Sequence, residues 1–123
     1  GATGVVKQRM DYFKESQKRL KSISRAIKAK DYRDIQENSA WLAQWGGEMI
    51  SLFPEDSLSS PTEASPLIWE NFDDFSAHAQ DFMQASRRLA LHAEAEDYAA
   101  TTAAFREVAQ SCKACHSQYR VKN

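Results

Sequence analysis

A chain of 123 residues suits one domain with one modest core. Charged residues make up 27% and the formal charge is −1, so the total offers no global basic field for nucleic acid or for an anionic membrane. Scarce glycine (4) and proline (3) favour helices, two cysteines are too few for a secreted disulfide scaffold, and no stretch approaches the ~20 apolar residues of a membrane span.

Four segments carry helical periodicity. The first runs from about Gly4 to Lys28, with Val6, Phe13, Leu20 and Ile27 recurring every seven residues and Ile23 on the same stripe. Arg9 and Ser16 interrupt it. The second runs from about Asp31 to Leu52, with Asp31 or Asp34 as its cap and Ile35, Leu42, Trp45, Met49 and Leu52 as its stripe. Gly46 and Gly47 weaken that helix unless something bulky approaches its backbone. Tyr32 and Trp41 fall off the stripe and read as exposed, a hint of self-contact.

Residues 54–65 have no periodicity, are rich in Pro, Ser and acidic residues, and read as the one linker. Ser65-Pro66 then reads as a cap followed by proline at the first helical position. The third helix is expected over about 66–93, with Ile68, Phe72, Phe75, Ala79, Phe82, Ser86, Leu89 and Ala93 inward. The fourth is expected over about 97–119. Its stripe runs from Tyr98 through Phe105 and Cys112 to Tyr119. Short connections before the second and fourth helices make neighbours antiparallel, so the expected fold is all-α, an up-down-up-down four-helix bundle over residues 1–123.

Cys112-Lys113-Ala114-Cys115-His116 has the Cys-x-x-Cys-His spacing of c-type haem attachment. Two thiols can form thioethers to the vinyl groups, and the adjacent imidazole can bind the iron, which makes His116 the metal ligand. On a helix the three side chains share one face. Zinc would need two further ligands, for which only His78 and His92 remain. A thioredoxin-like dithiol belongs at a helix N-terminus, not near a C-terminus. The third competing reading is a structural helix with two incidental cysteines. Covalent haem also implies a precursor with a leader, because such haem is attached outside the cytoplasm.

Almost no chain follows the motif, so the other face of the iron must be covered from elsewhere. Met10, Met49, Met83, His78 and His92 are the possible second ligands. Phe13 sits mid-stripe on the first helix and would block the iron without binding it; the bland reading is ordinary core. Arg9, a cation on an apolar stripe, needs a partner, and haem propionates would supply carboxylates; the bland reading is an arginine that snorkels to solvent. Arg120 lies four residues after His116, beside the imidazole or simply as a cation at a helix C-terminus. Lys113 reads as solvated. Trp45, Trp69, Phe72 and Phe82 could wall an apolar crevice, as they could any bundle core.

The run Cys112 to Arg120 resembles the CxxCHxxYR ending of the cytochrome c′ family, a known up-and-down bundle. Arg9-Met10-Asp11-Tyr12-Phe13 is similar to the family's arginine followed four residues later by a bulky distal residue. Ile68-Trp69 and Asp73-Asp74-Phe75 fit the start of its third helix. The resemblance implies one haem c held by Cys112 and Cys115, His116 as proximal ligand, and high-spin, five-coordinate iron. It places Phe13 distally, Arg9 near a propionate and Arg120 near the proximal pocket. It further implies a periplasmic protein that binds nitric oxide and carbon monoxide, is linked to nitric oxide protection and often dimerises through the first two helices; no acid-base pair or substrate pocket stands out in the sequence, so an enzyme is not expected. A redox partner is not specified. A sister group with methionine at the distal position consists of six-coordinate, low-spin electron carriers, which is the alternative reading.

Overall fold

The computed structural model describes the backbone of residues 4–52 and 72–119, and their side chains except at 5, 6 and 114–119. All regular structure among these residues is helical. Helix α1 spans Gly4–Ala29 and α2 spans Tyr32–Glu48, the latter extended by a 3-10 turn over Met49–Leu52. Helix α3 spans Phe72–Glu94 and α4 spans Tyr98–Tyr119. The expected linker and the expected start of the third helix at Pro66 lie outside the described residues. The expected single helix to Leu52 is instead an α-helix that tightens after Glu48. A 3-10 ending satisfies last-turn carbonyls, and the Ser51 hydroxyl donates to the Glu48 carbonyl at 2.7 Å.

The two tight connections are built alike. At the first, Lys30 takes φ 56°, its amide bonds the Ile27 carbonyl at 3.1 Å, and the Asp31 amide reaches Ala26 at 2.9 Å. At the second, Glu96 takes φ 54°, with amide bonds from Glu96 to Ala93 at 3.0 Å and from Asp97 to His92 at 3.2 Å. Both are Schellman endings in which a left-handed residue reverses the chain. An aspartate then caps the next helix: Asp31 accepts from the Asp34 amide at 3.2 Å and Asp97 from the Ala100 amide at 3.0 Å. Turns this short force α1 against α2 and α3 against α4, antiparallel. The Lys30 ammonium lies 5.0 Å from the centre of the Tyr98 ring, so the two turns share one end of the bundle.

The stripes meet in one core of Ile23, Ile27, Ile35, Leu42, Trp45, Phe75, Phe82, Leu89 and Val108, among others. The α2–α3 interface is the most extensive and α3–α4 the next; α1 leans chiefly on α2 and touches α4 only slightly. Small residues bring α2 and α3 together. A Cβ at Gly46 would stand 2.9 Å from Phe82 Cδ1 and 3.0 Å from Met83 Cα, so the close approach that glycine permits is realised here. Ser39, Ser86 and Thr101 are buried between the helices with hydroxyls that have no hydrogen-bond partner among the described residues.

Two aromatic assignments differ from the sequence pattern. Tyr98, expected at the head of a core stripe, is 44% exposed, because the stripe meets the core only from Thr101 onward. Trp41 and Tyr32, which read as exposed, are half-buried and packed against the core.

Candidate haem site

Counting about 1.5 Å per residue down from the two turns locates the site. Phe13 on α1, Trp45 and Met49 on α2, Ala79 and Phe82 on α3 and Cys112 on α4 all lie roughly 21–27 Å below the turns. Arg9, Leu52 and Phe75 lie about 31 Å below, at the end of the bundle opposite the two turns. The four helices thus bring the cysteine motif and the Phe13 stretch to one level, although they are nearly a hundred residues apart in sequence.

Phe13 is half-buried and packs against the core. Its ring meets Trp45 edge-on, centroids 5.4 Å apart at 88°. Trp45, only 2% exposed, is also stacked by Tyr12 at 4.8 Å and 11°. Tyr12 also leans on Trp41 at 6.0 Å, and the Arg19 guanidinium covers the Trp41 ring at 4.9 Å. Sequence reasoning singled out Phe13 and Trp45 but missed Tyr12 and Trp41 as their supports. The signal was present: Trp41 and Trp45 are one turn apart on α2, and Tyr12 and Arg19 two turns apart on α1.

Arg9 is 2% exposed, and its Nη1 donates to the Leu52 carbonyl at 3.1 Å. Burial holds its pKa below the usual guanidinium range, yet the group stays charged at any physiological pH. The polar interruption of the α1 stripe is therefore a buried cation that ties the start of α1 to the end of the 3-10 turn. The snorkelling reading of Arg9 does not hold, because its side chain is covered.

Cys112 is half-buried and packs against the core one turn after the fully buried Val108. Helix α4 continues through residues 115 and 116, so Cys115 and His116 follow Cys112 at i+3 and i+4 on one face of the backbone. The side chains of Cys115 and His116, together with Trp69 and Arg120, lie outside the described residues. Phe72 is half-buried, 6.3 Å from Phe75, in the first turn of α3.

Of the other candidate ligands, His78 sits 3.5 Å from Asp74 on its own helix, Met49 is buried in the core cluster, and Met10 is half-buried on α1. No cluster of three His, Cys, Asp or Glu that could hold a metal ion occurs among the described residues.

The donor set fits a c-type haem. Two thiols and an imidazole at this spacing suit a flat macrocycle held at its edge, Phe13, Trp45, Met49, Ala79 and Phe82 at the same level are apolar or aromatic, and a buried guanidinium stands one to two turns further from the two tight turns. A helical up-and-down bundle with this motif on its last helix defines a four-helix c-type haem protein.

The family model for Cytochrome C′ matches residues 4–120, and the chain belongs to that family, whose members carry one covalently attached c-type haem. Cytochrome c-556 of Agrobacterium tumefaciens strain II Chrys is 31% identical over 97% of this chain and 98% of its own. A cytochrome c′ of Rhodopseudomonas palustris is 31% identical over 98% of this chain and 84% of its own. Among solved structures, the nitric oxide complex of a mutant cytochrome c prime from Alcaligenes xylosoxidans superposes with a TM-score of 0.86 at 27% identity, covering 97% of this chain and 94% of that one. A mutant cytochrome c′ of Rhodopseudomonas palustris gives 0.87 at 28% identity, covering 98% and 100%.

Proposed function

We propose that this chain holds its haem through thioethers to Cys112 and Cys115, with His116 as the proximal ligand, and that it binds diatomic gases rather than serving as a six-coordinate electron carrier. When bound, the haem supplies an iron with one coordination position left to an incoming gas such as nitric oxide or carbon monoxide. The observation that carries the reading is Phe13. It is the aromatic residue of α1 that packs against the core near the level of Cys112, and its side chain has no atom that can bind iron. Met49 lies at the same level but on α2, within the core cluster, and Met10 is three residues before Phe13 on α1. That a relative of 27% identity forms a nitric oxide complex supports the ligand class.

Phe13 acts as a gate. An apolar ring offers water no hydrogen bond, so it excludes water while a gas can displace it. Moving the ring breaks its edge contact with Trp45, on which Tyr12 also stacks. Aromatic pairs contribute about 0.5–1.5 kcal/mol, and displacing a packed core ring costs about 1–3 kcal/mol. The penalty lowers gas affinity by roughly one to two decades. Arg9 and Arg120 are the cations for propionate and proximal pocket respectively, with Trp69 and Phe72 as apolar wall.

Carbon monoxide titration of the ferrous Phe13→Ala protein tests the gate. Its dissociation constant is expected to fall by at least about tenfold. An unchanged constant would show that Phe13 does not guard the open position.

The same reading makes the protein periplasmic and non-enzymatic, with a role in nitric oxide binding or protection. No helix among the described residues is long and apolar enough to cross a membrane. A homodimer through α1 and α2 is supported by the shallow groove between them, lined by Tyr12, Trp41, Arg19, Glu15, Asp11 and Gln8. Light scattering of the eluting holoprotein decides it, a monomer mass being the contrary result.

A further inference from the structure

The formal charge of −1 conceals a strong asymmetry. Helix α1 carries eight cations against two carboxylates, a formal +6, which leaves −7 for the rest of the chain. Two of the eight, Arg9 and Arg19, turn inward. The other six, Lys7, Lys14, Lys18, Lys21, Arg25 and Lys28, are all exposed.

Their spacing is 7, 4, 3, 4 and 3 residues, a heptad pattern in which charge replaces the usual apolar residue. At about 100° per residue the six fall within roughly 80° of arc, nearly opposite Ile23 and Ile27. They form a straight spine about 31 Å long. Asp11 is the one carboxylate on its line, and it pairs with Lys7 at 2.8 Å. Among the described residues the other five have no ion pair. The acidic remainder does not cancel this field, because the Debye length at physiological salt is about 8 Å, less than the ~10 Å width of a helix.

The chemistry of the spine selects its partner. Single-stranded nucleic acid needs aromatic platforms, and the aromatic residues of α1, Tyr12 and Phe13, are engaged with Trp45. Protein interfaces are depleted of lysine and centred on aromatic anchors, whereas this spine is five lysines and an arginine without an aromatic. Among the described residues the spine carries no apolar row to insert into a bilayer: Ile23, Ala26 and Ile27 face the core, and Met10, at the edge of the arc, is half-buried. A straight row of cations that acts through charge alone fits a flat, anionic sheet. We propose that α1 docks the protein peripherally on an anionic phospholipid surface, lying lengthwise along it. The docking depends on the solvent face of α1 and not on the coordination of the haem.

The test is sedimentation of the holoprotein with vesicles of phosphatidylcholine containing phosphatidylglycerol, against vesicles of phosphatidylcholine alone, at low salt and at ~0.5 M salt. Binding is expected only to the anionic vesicles and only at low salt. Replacing Lys14, Lys18 and Lys21 by glutamine should weaken it about 100-fold, roughly fivefold per cation. The control Arg33→Gln/Arg87→Gln/Arg106→Gln removes the same charge from exposed positions on the other helices and should change binding by less than about threefold. Glutamine matches lysine in helix propensity, and the haem absorption of each variant reports its fold. No binding to anionic vesicles, equal binding to neutral ones, or equal weakening by both triple variants overturns the proposal. So does retention on immobilised polyglutamate at a salt concentration that releases the vesicles, which would assign the spine to an acidic protein.

Discussion

Adding one methyl group at Gly46 and, separately, at Gly47 should have opposite effects on stability. Alanine in place of a helical glycine favours the helix by up to about 1 kcal/mol, at Gly46 and Gly47 in the last turn of α2 alike. At Gly46 the new Cβ would lie 2.9 Å from Phe82 Cδ1, 3.0 Å from Met83 Cα and 3.1 Å from Met83 Cβ, against 3.4–4 Å for ordinary contact. Phe82 is buried at 4% exposure and Met83 Cα is backbone, so neither yields without moving α3 outward by about half an ångström. Overpacking of this kind costs about 1–3 kcal/mol, which leaves Gly46→Ala less stable by roughly 1 kcal/mol. At Gly47 the new methyl meets only Met83 Sδ at 3.2 Å, the end of a flexible thioether that can swing away. Gly47→Ala should therefore gain about 0.5–1 kcal/mol. Urea midpoints of the holoproteins read both, in the order Gly47→Ala, wild type, Gly46→Ala. Equal midpoints for the two variants would refute the close α2–α3 approach on which the packing of Trp45 and Phe82 depends.

The left-handed residues of the two tight turns give a second ordering. Glu96→Gly should stabilise by about 0.5–1 kcal/mol, since glycine adopts a positive φ without steric cost. Lys30→Gly should gain less, because it also removes the cation over Tyr98, a contact of about 0.5–1 kcal/mol; urea midpoints that reverse this order would contradict the cation–π contact. Arg9→Ala should cost about 2–3 kcal/mol by loss of a charged hydrogen bond and of the packed stem, with Arg9→Lys recovering only part. A change of under ~0.5 kcal/mol in the urea titration would show that Arg9 does not secure Leu52.

Much of this was legible in the chain. Periodicity alone picked out Ile23, Ile35, Leu42, Trp45, Phe75, Ala79, Phe82 and Leu89, because each helix buries a stripe and each stripe recurs at the helical period. The cap of α2 was readable to within Asp31 or Asp34, because a capping carboxylate meets an amide three residues on, a local event that falls to Asp31. Turns were harder: Lys30 and Glu96 hold φ values that sequence assigns to glycine, and only the Schellman bonds around them reveal the reason. Arg9 was visible as an anomaly, but its acceptor is a backbone carbonyl 43 residues away, for which no local pattern exists. The cation spine of α1 is plain on a helical wheel and vanishes in a net charge. At the site, residue types announced the haem, while the meeting of Phe13 with the level of Cys112 follows only from the length of each helix below its turn.

The central claim is that the iron held beside Phe13 keeps an open position. The absorption spectrum of the ferrous holoprotein at neutral pH, before and after carbon monoxide, tests it most directly. A broad high-spin spectrum that carbon monoxide converts to a sharp low-spin one is the expected result. A sharp low-spin α-band already present without the gas, and unchanged by it, would contradict the claim and place a methionine or histidine where Phe13 stands.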